Sequence, residues 1–430
     1  MPPKLTASLI RKLFLTASTG TVLCLAIGTS AWLTRLVNAA GREVSNPLHP
    51  APHAAEPAST STQFLVVAGG GAPSYNEIAL EKNVLYFRRT LSVLGLAEAI
   101  TDVFFANGND GQSTVRYLNP LGMERFRPPQ IADLQGAATY QNVSQWLDQA
   151  ADTPPCNRFF YFTGHGLYNA RDPDNNALIL WNEDLMEVQD LATRLDALPT
   201  TASPDSTSNP HFVTMMAQCF AGSFANLIYE GGDPSQPVAL QSRCGFFATV
   251  ASRPSVGCTP AVNEADYRDY SSSFFAGLSG VDRVGTPVAS ADYNKDGQIS
   301  YSEAHAFAKV DEETPDWPIS TLEAWLQRQA TQEDANRILS TPIAQWITVA
   351  EPQRQYVIES LAEQLAYDLN RTYKEQDRAR RESEVEEAYR VRLEMELMNV
   401  GMRQQTQLNG SAEQLRILHQ LENCEASLPN

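Results

Sequence analysis

The chain has 430 residues, 43% of them hydrophobic and 19% charged, with a formal net charge of −18. That balance describes a globular protein with a sizeable buried core, one large domain or two ordinary ones, and excludes a disordered chain. The acidity argues against nucleic acid or an anionic membrane surface as the main partner; it would favour the approach of basic substrates, and calcium binding or solubility explains it equally well.

Residues 1–40 read as a targeting segment. Lys4, Arg11 and Lys12 precede an apolar stretch, Leu13–Leu33, and Val37-Asn38-Ala39 before Ala40 offers a small-residue cleavage site. The stretch is long enough to span a bilayer, so a cleaved signal and a retained membrane anchor both stand. Either one exports the folded part. Residues 41–62, rich in Pro, Ala, Ser and His, read as a flexible tether.

Gln63–Ala68 is the first predicted strand and runs into Gly69-Gly70-Gly71. These glycines do not make a phosphate loop, because no Gly-Lys-Ser/Thr completes one. Leu80, Val84, Leu85, Phe87, Leu91 and Leu94 recur at helical spacing and predict a helix over 78–94. Asp102–Ala106 is the next strand, and strand–helix–strand order implies a parallel sheet. Residues 118–135 show no periodicity and read as a loop.

A helix over 141–151 leads into an apolar run, Arg158–Thr163, that ends in Gly164-His165-Gly166. A short strand over 175–181, a helix over 188–198 and a polar loop over 200–210 follow. A second apolar run, Phe212–Ala217, then breaks into Gln218-Cys219-Phe220-Ala221-Gly222. In an open α/β sheet, chemistry sits outside the carboxyl ends of adjacent strands. If the two runs are neighbours, His165 and Cys219 face each other across one cleft. Singly, a strand-end cysteine is an inert small hydrophobe; together, on like runs with glycines beside both, the two form a candidate catalytic pair.

These two motifs resemble those of the caspase-like cysteine peptidases, the clan of caspases, legumains, gingipains and the peptidase component of GPI transamidase. The similarity covers about Phe64 to Phe307 and leans to the legumain-like branch, in a bacterial exported or membrane-anchored form. It implies an α/β three-layer sandwich with a mainly parallel sheet and a glycine loop that lines the cleft. It also implies that Ala251-Ser252-Arg253, at the end of a strand over 244–252, walls the specificity pocket. Asp266 and Asp269, entering a helix over 271–278, stand where that branch places another pocket residue. The Arg-His pair that legumains carry after the first strand is replaced here by Asn76-Glu77. Glu77, Asp266 and Asp269 would favour a basic residue and Arg253 an acidic one, so the preference stays open.

Asp292-Tyr-Asn294-Lys-Asp296-Gly297-Gln298-Ile-Ser300-Tyr-Ser-Glu303 fits the twelve-residue calcium loop in full. Asp292, Asn294, Asp296, the Gln298 carbonyl, Ser300 and Glu303 are the expected ligands, and Gly297 supplies the turn. A lone loop, with a helix after it and none before it, reads as a structural Ca2+ clamp.

From about 341 to 430 the chain reads as a helical region, with an apolar face at Tyr356–Ile358, Leu361, Leu365 and Leu369. Packing on the peptidase domain (63–340) is expected; partner binding or self-association through these helices is open. Outside the leader are Cys156, Cys219, Cys244, Cys258 and Cys424. An odd count in an exported chain suggests one reactive thiol and up to two disulfides. Cys244 and Cys258 are the foremost candidate pair, and Cys219 is the leftover.

The expected chemistry is hydrolysis of a peptide bond in a protein or peptide substrate. His165 takes the Cys219 proton and returns it to the leaving amine. The backbone N–H groups of Gly166 and Cys219 face the oxyanion, and a thioacyl-enzyme forms. The same intermediate supports transpeptidation or self-processing. No acidic third partner is identifiable. The rival is an inactive, exported calcium-binding scaffold of the same fold. A thiol oxidoreductase is disfavoured, since no Cys-x-x-Cys occurs.

Overall fold

The computed structural model describes residues 62–200, 210–377 and 383–429. The expected leader, and nearly all of the tether and the polar loop, lie outside them. The elements are β1 (Gln63–Gly69), α1 (Ile78–Val93), β2 (Thr101–Phe105), β3 (Val115–Leu118), β4 (Glu124–Arg127), α2 (Tyr140–Ala151), β5 (Arg158–Leu167), β6 (Ala177–Ile179), β7 (Leu185–Glu187), α3 (Val188–Asp196), β8 (His211–Ala217), β9 (Ser242–Phe247), α4 (Tyr270–Ser279), α5 (Tyr301–Asp311) and β10 (Ile319–Ser320). The C-terminal region adds α6 (Thr321–Arg328), α7 (Gln332–Leu339), α8 (Ile343–Ile347), α9 (Pro352–Gln364), α10 (Tyr373–Gln376), α11 (Glu384–Asn409) and α12 (Ala412–Glu425).

The central sheet has the order β10–β9–β8–β5–β1–β2, parallel except for β10. Its strands are apolar on both faces because both faces are covered. Phe64, Val66 and Ala68 of β1, with Phe159 and Tyr161 of β5, pack under α1, α4 and α5; Leu65, Val67, Phe160 and Phe162 pack under α2 and α3. Three layers result, as expected. The pattern could not fix the strand order: β5 lies between β1 and β8, with Phe64, Phe159 and Val213 in register.

Several local expectations are revised. The 118–135 stretch is not all loop, because β3 and β4 form a hairpin across its start. The strand expected over 244–252 stops at Phe247, and the chain then turns where the Arg253 carbonyl takes the Phe220 N–H (2.8 Å) and the Ala251 carbonyl takes Asn176 Nδ2 (2.9 Å). Residues Ala221–Ile228 form a 3-10 helix.

Cys244 is bonded to Cys424, not to Cys258. Strand alternation turns Cys244 to the same side as Phe246, into the core that also holds the fully buried Cys424. Cys258 lies elsewhere, with its thiol 3.6 Å from the Gly164 carbonyl. The C-terminal helices pack against the domain as expected, sharing an apolar cluster with Ala306 and Val310 of α5. Inside that contact Lys309 bonds Glu323 and Glu396, and Arg354 reaches the same two carboxylates. Most of these helices start on a Ser or Thr whose hydroxyl accepts an N–H three residues on, which satisfies one of the open donors of the first turn.

Candidate active site

β5 and β8 are adjacent parallel strands, and Thr163 pairs with Ala217. The same register carries His165 and Cys219 to neighbouring positions at one sheet edge. β5 does not stop at Thr163. It continues through His165, whose backbone pairs antiparallel with Ile179 of β6. The histidine therefore rides on a strand rather than a loose loop, which fixes its ring. Gly166 is required here: a Cβ on it would meet the Cys219 carbonyl oxygen at 2.0 Å.

The glycine loop after β1 explains what the imidazole bonds. A Cβ on Gly70 would lie 1.9 Å from the Tyr75 carbonyl oxygen, and the Gly70 N–H donates to Asn76 Oδ1 at 3.0 Å. The chain thus doubles back tightly, and the Tyr75 carbonyl is delivered 3.0 Å from His165 Nε2. Glu77 Oε2 lies 3.0 Å from the same nitrogen. Both acceptors lie on Nε2, which therefore carries a proton.

Glu77 corrects two expectations. It does not line a pocket: it is 3% exposed, at the N-cap of α1, and also ion-paired with Arg116 of β3 at 2.5 Å. It is also the acidic partner for which the sequence shows no candidate. Burial opposes its charge, but His165 and Arg116 hold its pKa below 4.5. Burial likewise opposes charge on His165, yet Cys258 and Glu77 beside it hold the ring well above 6.5.

Cys219 is half-buried and not disulfide-bonded. Its sulfur accepts from the Ser255 N–H at 3.3 Å, and its thiol faces the Ser255 carbonyl at 3.6 Å. Burial pushes this thiol above 9.0; the Ser255 N–H works against that, Cys258 adds to it and His165 opposes it. Both groups are thus shifted toward their protonated forms. Cys258, exposed and also free, is a second sulfur on the same segment, in contact with the same imidazole.

The remaining pocket residues separate. Ser252 is exposed. Arg253 lays its guanidinium over the Trp317 ring at 3.9 Å, in an open cleft also lined by Ser255, Asp316 and Glu384. Asp269 is 2% exposed and cannot reach a substrate: it caps α4 and accepts from Asn83 at 2.8 Å. Asp266 sits on the surface with Asn263 as its partner. Arg116, Tyr75 and Asp316 carry no signal in the sequence that marks them for this site. The position of Glu77, first after the turn that follows β1, was the one signal within reach.

The 292–303 loop closes as its pattern demands, reversing at Lys295 and Gly297, which adopt φ of 63° and 85°. Asp292 accepts the Asp296 and Gly297 N–H groups, Asn294 the Asp296 N–H, and Asp296 the Gln298 N–H. Buried Glu303 reaches back to the Tyr293 and Asn294 N–H groups at 3.1 and 3.3 Å. The Ser300 hydroxyl is taken by Glu303 in a capping box, which leaves the other oxygens as the donor set. They are all hard oxygens, the set calcium takes. Among the described residues, no three His, Cys, Asp or Glu side chains converge to metal-binding distance.

No family model matches the chain, and no curated protein matches it.

Proposed function

We propose that the protein is an exported, caspase-like cysteine endopeptidase in which Cys219 is the nucleophile and His165 its acid–base partner. One observation carries this reading: imidazole and thiol occupy the carboxyl ends of adjacent parallel strands, with the Cys219 backbone packed on Gly166. Glu77 and the Tyr75 carbonyl hold Nε2 of the ring, so Nδ1 is the nitrogen assigned to proton transfer.

In the mechanism that follows, a bound peptide displaces the solvent around the thiol, and the proton leaves Cys219 as sulfur attacks the scissile carbonyl. His165 holds that proton on Nδ1 and passes it to the departing amine. Because Cys258 and Glu77 hold the proton on the ring, the neutral imidazole becomes more available as pH rises. Activity is expected to climb toward the alkaline side. The backbone N–H groups of Gly166 and Cys219 are assigned to the oxyanion. The buried Cys244–Cys424 bond supports export, since such bonds persist in oxidising compartments. A calcium ion, if bound, would be held by Asp292, Asn294, Asp296, the Gln298 carbonyl and Glu303, and would stiffen the turn into α5.

The test is labelling with a peptide-based electrophile followed by a peptide-library cleavage assay. Label on Cys219 that is lost in His165→Ala, together with cleavage lost in Cys219→Ala, is the expected result. A wild-type protein that cleaves nothing and reacts at Cys219 no faster than its His165→Ala variant would refute the reading.

A further inference from the structure

We propose that Asp316 is a positioning residue for Cys219, held in place by helix α11 of the C-terminal region; this rests on Cys219 being the reactive group. Asp316 is 1% exposed, and its carboxylate accepts from the Ser255 hydroxyl and from the Val256 N–H, the latter at 3.1 Å to both oxygens. Ser255 is the residue whose N–H and carbonyl bracket the Cys219 sulfur. Two hydrogen-bonded steps therefore connect the carboxylate to the thiol.

The far side of Asp316 is as closely held. Arg392 of α11 is completely buried, and its guanidinium donates to four backbone carbonyls: Lys309 (3.1 Å), Glu312 (2.7 Å), Thr314 (2.9 Å) and Asp316 itself (2.9 Å). Five donors in a planar fork suit this task; a lysine could not span it. The segment that carries Asp316 is thus hung from a helix about 170 positions downstream of Cys219 in the chain. The C-terminal helices act on the site without touching a substrate.

The titratable and charged groups that face Asp316 are Cys219, whose thiol its charge pushes up, Arg392, Glu312 and Asp269. Burial pushes its carboxyl up to about 7, against the pull of Ser255, Val256 and Arg392 and with help from Asp269. Protonation of this carboxylate removes its charge and one of its acceptor sites for the 255–256 segment.

Alkylation of Cys219 by iodoacetamide in the full chain, followed by mass spectrometry over roughly pH 5 to 9, reads the thiol directly and needs no peptidase activity. Asp316→Asn keeps an acceptor for Val256 and a partner for Ser255 while removing the charge. Its rate at neutral pH is expected within about threefold of wild type, with the inflection near 7 gone. Asp316→Ala releases the segment and is expected about tenfold or more slower than Asp316→Asn, as loss of the Ser255 N–H from sulfur requires. Cys156, remote from these contacts, should react alike in all variants and reports intact folding.

Equal Cys219 rates in Asp316→Asn and Asp316→Ala overturn the proposal. Should Asp316→Ala fail to fold, Ser255→Ala decides, with a slowing of about threefold expected and a wild-type rate overturning. A protein that cleaves no peptide yet keeps the Asn–Ala separation would sink the peptidase reading and leave this one standing.

Discussion

The Cys244–Cys424 bond closes a loop of 180 residues through the centre of the molecule, tying the end of α12 to β9. Replacing both cysteines by alanine removes that constraint from the unfolded chain. For a loop of this length the chain-entropy cost released is about 5 kcal/mol, a third or more of the roughly 5–15 kcal/mol by which a native domain is stable. Over the described residues, about 2.1 cal/mol/K of unfolding entropy per residue converts 5 kcal/mol into a melting point lower by about 6–7 °C. Differential scanning calorimetry of wild type, the double alanine variant and wild type under dithiothreitol should give the drop in both of the last two. Because α12 and α11 pack together and α11 holds Asp316, the Cys219 alkylation rate should fall along with it. A reduced protein that melts within about 1 °C of the oxidised one would refute the reasoning, by showing that packing alone docks α12.

Glu77→Gln should destabilise by about 1.5–3 kcal/mol near pH 6, the worth of a buried hydrogen bond to a charged group. The His165 share of that stability is present below the ring's ordinary 6.5 and is lost as pH rises through its raised native value. Urea melts should therefore show a smaller loss at about pH 9 than at pH 6; a pH-independent loss would remove the His165–Glu77 coupling. The same variant should shift the acidic limb of the pH–activity profile to lower pH, since the imidazole then sheds its proton sooner. Gly166→Ala should cost about 1–3 kcal/mol and displace Cys219, because the added methyl meets its carbonyl; wild-type melting and labelling would contradict the contact. If calcium binds the 292–303 loop, a chelator should lower the melting point of wild type and not of Asp292→Ala, and a titration calorimeter should register one site.

The element types were legible in the sequence because they rest on local rules. The apolar runs at 63–68, 158–163 and 212–217 are strands, the 3.6-residue spacing over 78–94 is a helix, and the glycines beside His165 and Cys219 mark close backbone approach. The meeting of His165 and Cys219 follows from two such runs, given only that they are neighbours. Sequence also specified the 292–303 turn, whose Asx side chains bond their own nearby N–H groups.

What periodicity cannot carry is which distant residue fills a given space. Cys244 has four possible partners outside the leader, and only the packing of α12 onto β9 selects Cys424. Glu77 reads as a pocket acid until the β1 turn folds it against His165 and β3 brings Arg116 onto its other side. Asp269 reads as a pocket acid until it caps α4. Asp316 and Arg392 have no sequence signal, since their roles consist of hydrogen bonds to backbone groups that come together only in the folded chain. Local patterning determined the strands and the candidate pair; the burial of charge, a property of the assembled interior, decided which side chains serve them.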